Sequence, residues 1–216
     1  ERGWDTKLVG LHQSLNNEKA LISVYLPDWF IDASGKEIFL KRTQTFAKFI
    51  FNNGKSEEAF YQYHELVPMP STIDNAGDKE LELGWYLCGH FIFGKREFFT
   101  KIIQPEWVGF WGEEVINSLR AYTAGFDVYN PANPPLYHMN EGLSVNFSRP
   151  KLWLDYPDEH HARRAPTTDR IIDIMKNNTV GPDDLFDVRP LSDLYKIVGC
   201  DLGELFYSWY TNKNGN

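Results

Sequence analysis

Gly89-His90-Phe91-Ile92-Phe93, Phe110-Trp111-Gly112-Glu113-Glu114, Gly125-Phe126-Asp127-Val128-Tyr129 and Pro135-Leu136-Tyr137-His138 are the stretches whose reading decides the fold. The first completes a continuous apolar run from Trp85 that stops at Gly94, which predicts a buried strand. Lys95 to Ile103 reads as a helix behind it. Glu113 to Ala124 carries good helix formers and ends at Gly125, a usual helix stop. Phe126 to Tyr129 and Leu136-Tyr137 then read as short strands separated by Pro131, Pro134 and Pro135. Buried strands alternating with helices predict an α/β fold.

Working outward, Trp4, Leu8, Leu11 and Leu15 recur at helical spacing with Asp5 near the start, so residues 3–16 read as an amphipathic helix. Ala20 to Leu26 is a β-rich apolar run closed by Pro27 and reads as a buried strand. Glu37-Ile38-Phe39-Leu40 and Phe46 to Phe51 alternate, predicting a hairpin or meander over 36–52. Residues 66–82 bear Pro, Asp and Gly and read as a loop. Beyond 150, Thr168 caps a predicted helix through Lys176 and Leu191 to Val198 forms another, with polar linkers at 155–167 and 177–190. The resulting division is 1–150 as an α/β body and 151–216 as a helical extension.

The chain has 216 residues, a length suited to one domain with a sizeable core. Its formal net charge is −8, which repels phosphate backbones and anionic lipid, so nucleic acid and membrane are poor candidates for the main partner. An anionic ligand can still bind through a local metal or basic cluster. No apolar run approaches the roughly 20 residues of a membrane span. Cysteine is limited to Cys88 and Cys200, which favours a reduced, cytoplasmic setting over a disulfide framework. Asn146-Phe147-Ser148 and Asn177-Asn178-Thr179 match glycosylation acceptor triplets, patterns too short to reverse that expectation. Aromatic residues make up 15% of the chain, and they suit either a core or the flat walls of a carbohydrate site.

The chemistry-bearing residues carry two readings each. Adjacent helical Glu113 and Glu114 diverge by about 100°. They cannot act as opposed acid and base, which need carboxyls about 5 to 9.5 Å apart across the bond. They read either as acids complementing the helix dipole or as part of a site reached by the Gly109-to-Gly112 loop. His138, at the end of a predicted strand, and His90, within one, are structural residues or ligands depending on their partners. Asp158 and His160 spell Asp-x-His in polar surroundings that read as a solvated face. Neither cysteine has zinc-knuckle or redox spacing, and no phosphate-binding glycine loop of the Walker type occurs.

Taken in order, these segments resemble a known family. The chain is similar to the hydroxyproline-directed N-acetylglucosaminyltransferases that modify a cytoplasmic ubiquitin-ligase subunit, and more distantly to the polypeptide N-acetylgalactosaminyltransferases. Gly3-Trp4-Asp5 matches the segment after the family's metal-binding Asp-x-His or Asp-x-Asp. Cys88 to Phe93 is like the glycine-containing strand flooring the sugar pocket. Phe110 to Arg120 is like the family's Trp-Gly-Gly-Glu-Asn or Phe-x-Gly-Glu-Glu helix, and Tyr122 to Pro131 like its Thr-Gly-Tyr-Asp-x-Tyr-x-Pro continuation. Arg149 to Trp153 and Asp169 to Leu202 look like its tail.

The resemblance implies a GT-A type transferase that retains anomeric configuration and moves N-acetylglucosamine or a related sugar from a UDP-sugar. The acceptor is a hydroxyl on protein or glycan, and a divalent metal, usually manganese, holds the donor diphosphate. His138 would be the metal ligand. Glu113, Glu114 and Trp111 would serve catalysis, while Gly89, His90, Phe110 and Gly112 would line or close the donor pocket. Met139-Asn140-Glu141 stands where the family often has an aromatic and an arginine, which puts that loop's diphosphate contacts in question. The nucleotide-binding strands expected before Gly3 are also not among these residues. Two other readings stay open: a sugar- or protein-binding module derived from a transferase, and a metal hydrolase using His138, Asp158 and His160.

Overall fold

In the computed structural model the described residues are 2–40, 46–50, 71–74, 80–109, 112–140, 143–144, 150, 152–198 and 201–214. Along them run α1 (Trp4–Ser14), β1 (Ala20–Ser23), β2 (Asp28–Ile31), β3 (Glu37–Phe39), β4 (Phe46–Ile50), β5 (Ser71–Asp74), β6 (Leu81–Gly84) and β7 (Ile92–Gly94). There follow α2 (Arg96–Lys101), α3 (Glu113–Thr123), β8 (Asp127–Pro131), β9 (His138–Met139), α4 (Leu152–Asp155), α5 (Pro157–Asn177), α6 (Leu191–Val198) and α7 (Leu202–Asn214). The content is mixed α/β, as the alternation of apolar runs and helices predicts.

The central sheet has the order β6-β8-β1-β7. All four residues of β1 are buried. It pairs in parallel with β8, Leu21 opposite Val128, and antiparallel with β7, Ile22 opposite Phe93. A strand paired on both sides and covered on both faces reads as the unbroken apolar run seen at 20–26. Leu8 and Leu11 of α1 pack on Ile22, whereas Trp4 remains 44% exposed, so the apolar stripe of α1 is narrower than its spacing suggests. A second sheet, β3-β2-β9, joins β2 antiparallel to β3 and parallel to β9, with Asp28 opposite His138. Its tight turn is held by Asp32, whose Oδ1 accepts the Ser34 and Lys36 amides at 2.8 and 3.0 Å, with Gly35 at φ 82.

Several expectations are corrected. The run from Trp85 to Phe93 is not one strand. Residues 85–87 are buried outside the ladder, Cys88 to Phe91 form a turn closed by the Phe91 N–H on the Cys88 carbonyl at 3.2 Å, and only then does β7 begin. The backbone tolerates this because side chains replace the ladder: Leu87 N–H donates to Ser118 Oγ and Cys88 N–H to Ser23 Oγ, both at 2.8 Å. Among the described residues the segments at 37–40 and 46–50 do not pair with each other. β3 pairs with β2, and β4 with β5, since alternation sets which face is buried but not which strand is the partner. The expected loop at 66–82 contains β5 and the start of β6. Pairing near Leu136-Tyr137 falls instead on His138-Met139.

The polar stretch 155–167 is not a linker either. α5 runs through it with Pro157 in its first turn and Pro166 inside, so Thr168 is no cap. Thr167 is drawn into the fold, its Oγ1 accepting the Gly109 N–H at 2.8 Å and donating to the Trp107 carbonyl at 3.1 Å, a tertiary gain that outweighs poor local propensity. α3, α5, α6 and α7 share one core through Ile116, Leu119, Ile171, Ile174, Leu194, Leu202 and Phe206.

Gly112, at the head of α3, is buried against α5. A Cβ there would lie 2.5 Å from Thr167 Cγ2 and 2.9 Å from Ile171 Cδ1. Gly112→Ala is expected to cost about 1–3 kcal/mol of stability by overpacking. A thermal melt lowered by roughly 2–12 °C checks this; an unchanged melt would mean that α5 gives way freely.

Candidate active site

The chain segments that follow β1 and β6 meet the first turn of α3 at Glu114. Its Oε2 accepts the Tyr25 hydroxyl and, at 3.1 Å, the Tyr86 hydroxyl, while Oε1 accepts the Gly89 N–H. Both phenols are pushed above the ordinary tyrosine range, by burial first and then by the Glu114 charge, so they stay protonated and donate. Glu113 is half-buried beside Glu114 in the same first turn.

His90 is exposed, lying in the Cys88–Phe91 turn rather than within an apolar strand. Its ring takes the edge of Tyr25 at 4.9 Å between centroids and stacks on His138 at 4.1 Å with a 12° interplanar angle. His138 reaches this place through the β2–β9 ladder, where its N–H donates to the Pro27 carbonyl at 2.9 Å. Its Nδ1 lies 3.5 Å from Asp28 Oδ1, and Asn140 Nδ2 donates to Asp28 Oδ2 at 3.0 Å. Folding thus brings together His90, His138, Gly89 and Glu114 from the expected set. Gly112 sits at the cap of α3, and its missing side chain is accounted for by the approach of α5. Phe110 and Trp111 lie outside the described residues. Asp158 is exposed at the start of α5. Among the described residues no three His, Cys, Asp or Glu side chains gather as a metal cluster, and the side chain of His160 lies outside what is described.

Sequence reasoning missed Asp28, Tyr25, Tyr86 and Asn140. A signal was there: Tyr25 and Asp28 follow the carboxyl end of the buried β1, the end at which open α/β sheets take ligands.

The Glu114 carboxyl stands above its ordinary range, because burial disfavours the charge more than the bonds from Tyr25, Gly89 and Tyr86 favour it. The folded chain then keeps a proton that the unfolded chain releases above about pH 4.3. The associated stability is fully present below that pH and is lost as pH rises through the elevated folded value. A Glu114→Gln chain is expected to show a flatter fall of unfolding free energy with pH across this window, measured by denaturant titration; equal slopes would rule out Glu114 as the source.

A polar site at strand ends, with stacked imidazoles, an oriented carboxylate and an acidic helix start, has the makings of a ligand site in a mixed α/β frame. A family model described as Glycosyltransferase (GlcNAc) matches residues 1–198. The chain belongs to this GlcNAc glycosyltransferase family, and its class is that of transferases acting between a sugar donor and an acceptor. No curated protein matches it. Among the described residues no helix is long and apolar enough to cross a membrane.

Proposed function

We propose that this chain carries out retaining transfer of N-acetylglucosamine, or a close relative, from a UDP-sugar to a hydroxyl of a protein or glycan, on a fold of GT-A type. The observation that carries the reading is the His138–Asp28 pair, stacked on His90 beside the Glu113-Glu114 helix start.

The residues fit a divalent ion as part of its ligand set. A carboxylate 3.5 Å from Nδ1 favours the tautomer protonated there, with Nε2 as the ligating atom, the usual outer partnership of a metal-bound histidine. With one nitrogen donor here, further oxygen ligands suited to manganese have to come from outside the cluster. Such an ion neutralises charge on a leaving diphosphate. The chain's own residues do the positioning. Glu113 orients the sugar through its carboxylate, and the exposed Gly89-His90 turn lets backbone approach the donor closely. By the family resemblance, Phe110 and Trp111 would serve to keep water from the donor. Retention follows from front-side displacement, in which a donor phosphate oxygen takes the acceptor's proton and no protein nucleophile is used. Cys88, a buried thiol, is compatible with a reduced, cytoplasmic setting.

The test is to incubate the full-length protein with manganese and a panel of nucleotide sugars, measuring UDP release and, by NMR, the product's anomeric configuration. UDP release with a retained anomer supports the reading. No release from any donor, by transfer or slow hydrolysis, would leave a sugar-binding module as the better account. Asp28→Asn is expected to weaken manganese affinity or activity about 10–100-fold by loosening the His138 ring; an unaltered manganese titration would separate Asp28 from the metal.

A further inference from the structure

Glu114 commits both carboxylate oxygens to the protein itself. The three donors it holds come from three separate pieces of chain: Tyr25 beyond β1, Tyr86 beyond β6, and Gly89 in the turn before β7. Neither residues 24–27 nor 85–87 lie in a strand, so no sheet ladder ties these pieces together at this point. The turn is closed by one long backbone bond, Phe91 N–H to the Cys88 carbonyl at 3.2 Å, and its two ends are tied to β1 by Ser23 Oγ, which accepts the Cys88 N–H and donates to the Phe91 carbonyl, both at 2.8 Å; Gly89 and His90, between those ends, are left to the bond from Glu114. What Glu114 holds is also what His90 leans on: the Tyr25 ring meets the His90 edge, and His90 in turn stacks on His138. Gly89 is fitted to this arrangement, since a Cβ there would stand 3.1 Å from Glu114 Oε1.

We infer that Glu114 is a positioning residue that fixes Tyr25 and the Gly89-His90 turn, so that His90 seats the His138 ring in the site. The two neighbouring acids of α3 then divide the work. Glu113 keeps the sugar-orienting role proposed above, and Glu114 acts only through the imidazoles. This rests on the proposed role of His138, but the ring contact itself can be measured without metal or donor. A buried carboxylate serves here because one group must accept from three donors at once, and a carboxylate has acceptor sites to spare.

The experiment uses full-length protein with isotope-labelled histidine. NMR reads the His90–His138 ring contact in the metal-free state, and a titration with manganese alone reads the affinity. Glu114→Ala is expected to abolish the ring contact and to weaken manganese binding about 10–100-fold, as loss of an outer-shell partner does. Glu114→Gln, which keeps an acceptor for the Gly89 N–H and the same shape, is expected to restore most of the ring contact. Tyr25→Ala, which removes the ring from His90 while leaving Glu114 in place, is expected to lose the contact as well, and it serves should Glu114→Ala fail to fold. Persistence of the contact and of manganese affinity in Glu114→Ala or Tyr25→Ala would overturn the inference. So would an effect of Glu114→Gln confined to kcat with the contact intact, because Glu114 would then act on substrate. If no sugar nucleotide reacts but the ring contact still depends on Glu114, the transferase reading fails while the positioning role stands.

Discussion

A His138→Ala protein is expected to lose metal-dependent sugar transfer by at least about 100-fold, the upper end of what removal of a mere outer-shell partner costs. The substitution removes the imidazole that faces Asp28 and takes away the surface on which His90 stacks. Asp28 would still be held by Asn140 at 3.0 Å, so its carboxylate stays in place without a nitrogen ligand beside it. The loss should therefore appear as a rise in the manganese concentration needed for UDP release, with the thermal melt little changed. His138 is 29% exposed in its side chain, and a half-buried ring at the end of a two-residue strand contributes modestly to the core. Wild-type activity at low manganese would remove His138 from the mechanism.

Arg120→Ala is expected to destabilise the chain by about 3–5 kcal/mol, for reasons far from the site. Arg120 is only 2% exposed, and its guanidinium donates to the carbonyls of Asp184 and, at 2.9 Å, Pro182. It also lies 5.1 Å from the Phe186 ring centre. Truncation strands two carbonyls, at about 1–3 kcal/mol each, and opens a void beside the last turn of α3. Arg170 binds both carboxylate oxygens of Asp184 at 2.7 Å, so the 178–190 segment has a second tie that keeps the loss finite. In thermal unfolding the midpoint should drop by roughly 6–20 °C for a chain of this size. A shift within the error of the melt would show that the segment is held without Arg120, by Arg170 on Asp184 and by Arg189, which donates to Asp127 Oδ1 at 2.6 Å and to the Gly125 carbonyl at 2.8 Å.

How far the site was legible depends on the distance between its parts. Glu113, Glu114, Gly89, His90 and His138 stand out because they punctuate local patterns: acids at a helix start, a glycine inside an apolar run, a histidine after a short strand. Tyr25 and Asp28 do not stand out, since a tyrosine in a buried run and an aspartate after proline are ordinary until something faces them. Asp28 and His138 are 110 positions apart and meet only because β2 and β9 pair in parallel.

The sequence by itself determined the elements whose signals are local. α1, β1 and α3 with its stop at Gly125 follow from period and punctuation, because backbone bonds within a helix and burial of an apolar run need no distant partner. Membership of a glycosyltransferase family was likewise written in the order and spacing of short motifs. Only the tertiary structure decided that Trp85 to Phe93 breaks into a turn at Gly89, that residues 155–167 are helical, and that Glu114 turns inward to three donors. Each depends on a hydroxyl, amide or carboxylate supplied from elsewhere in the chain. A buried polar group takes whatever partner folding brings within about 3 Å, and no local pattern records which one that will be.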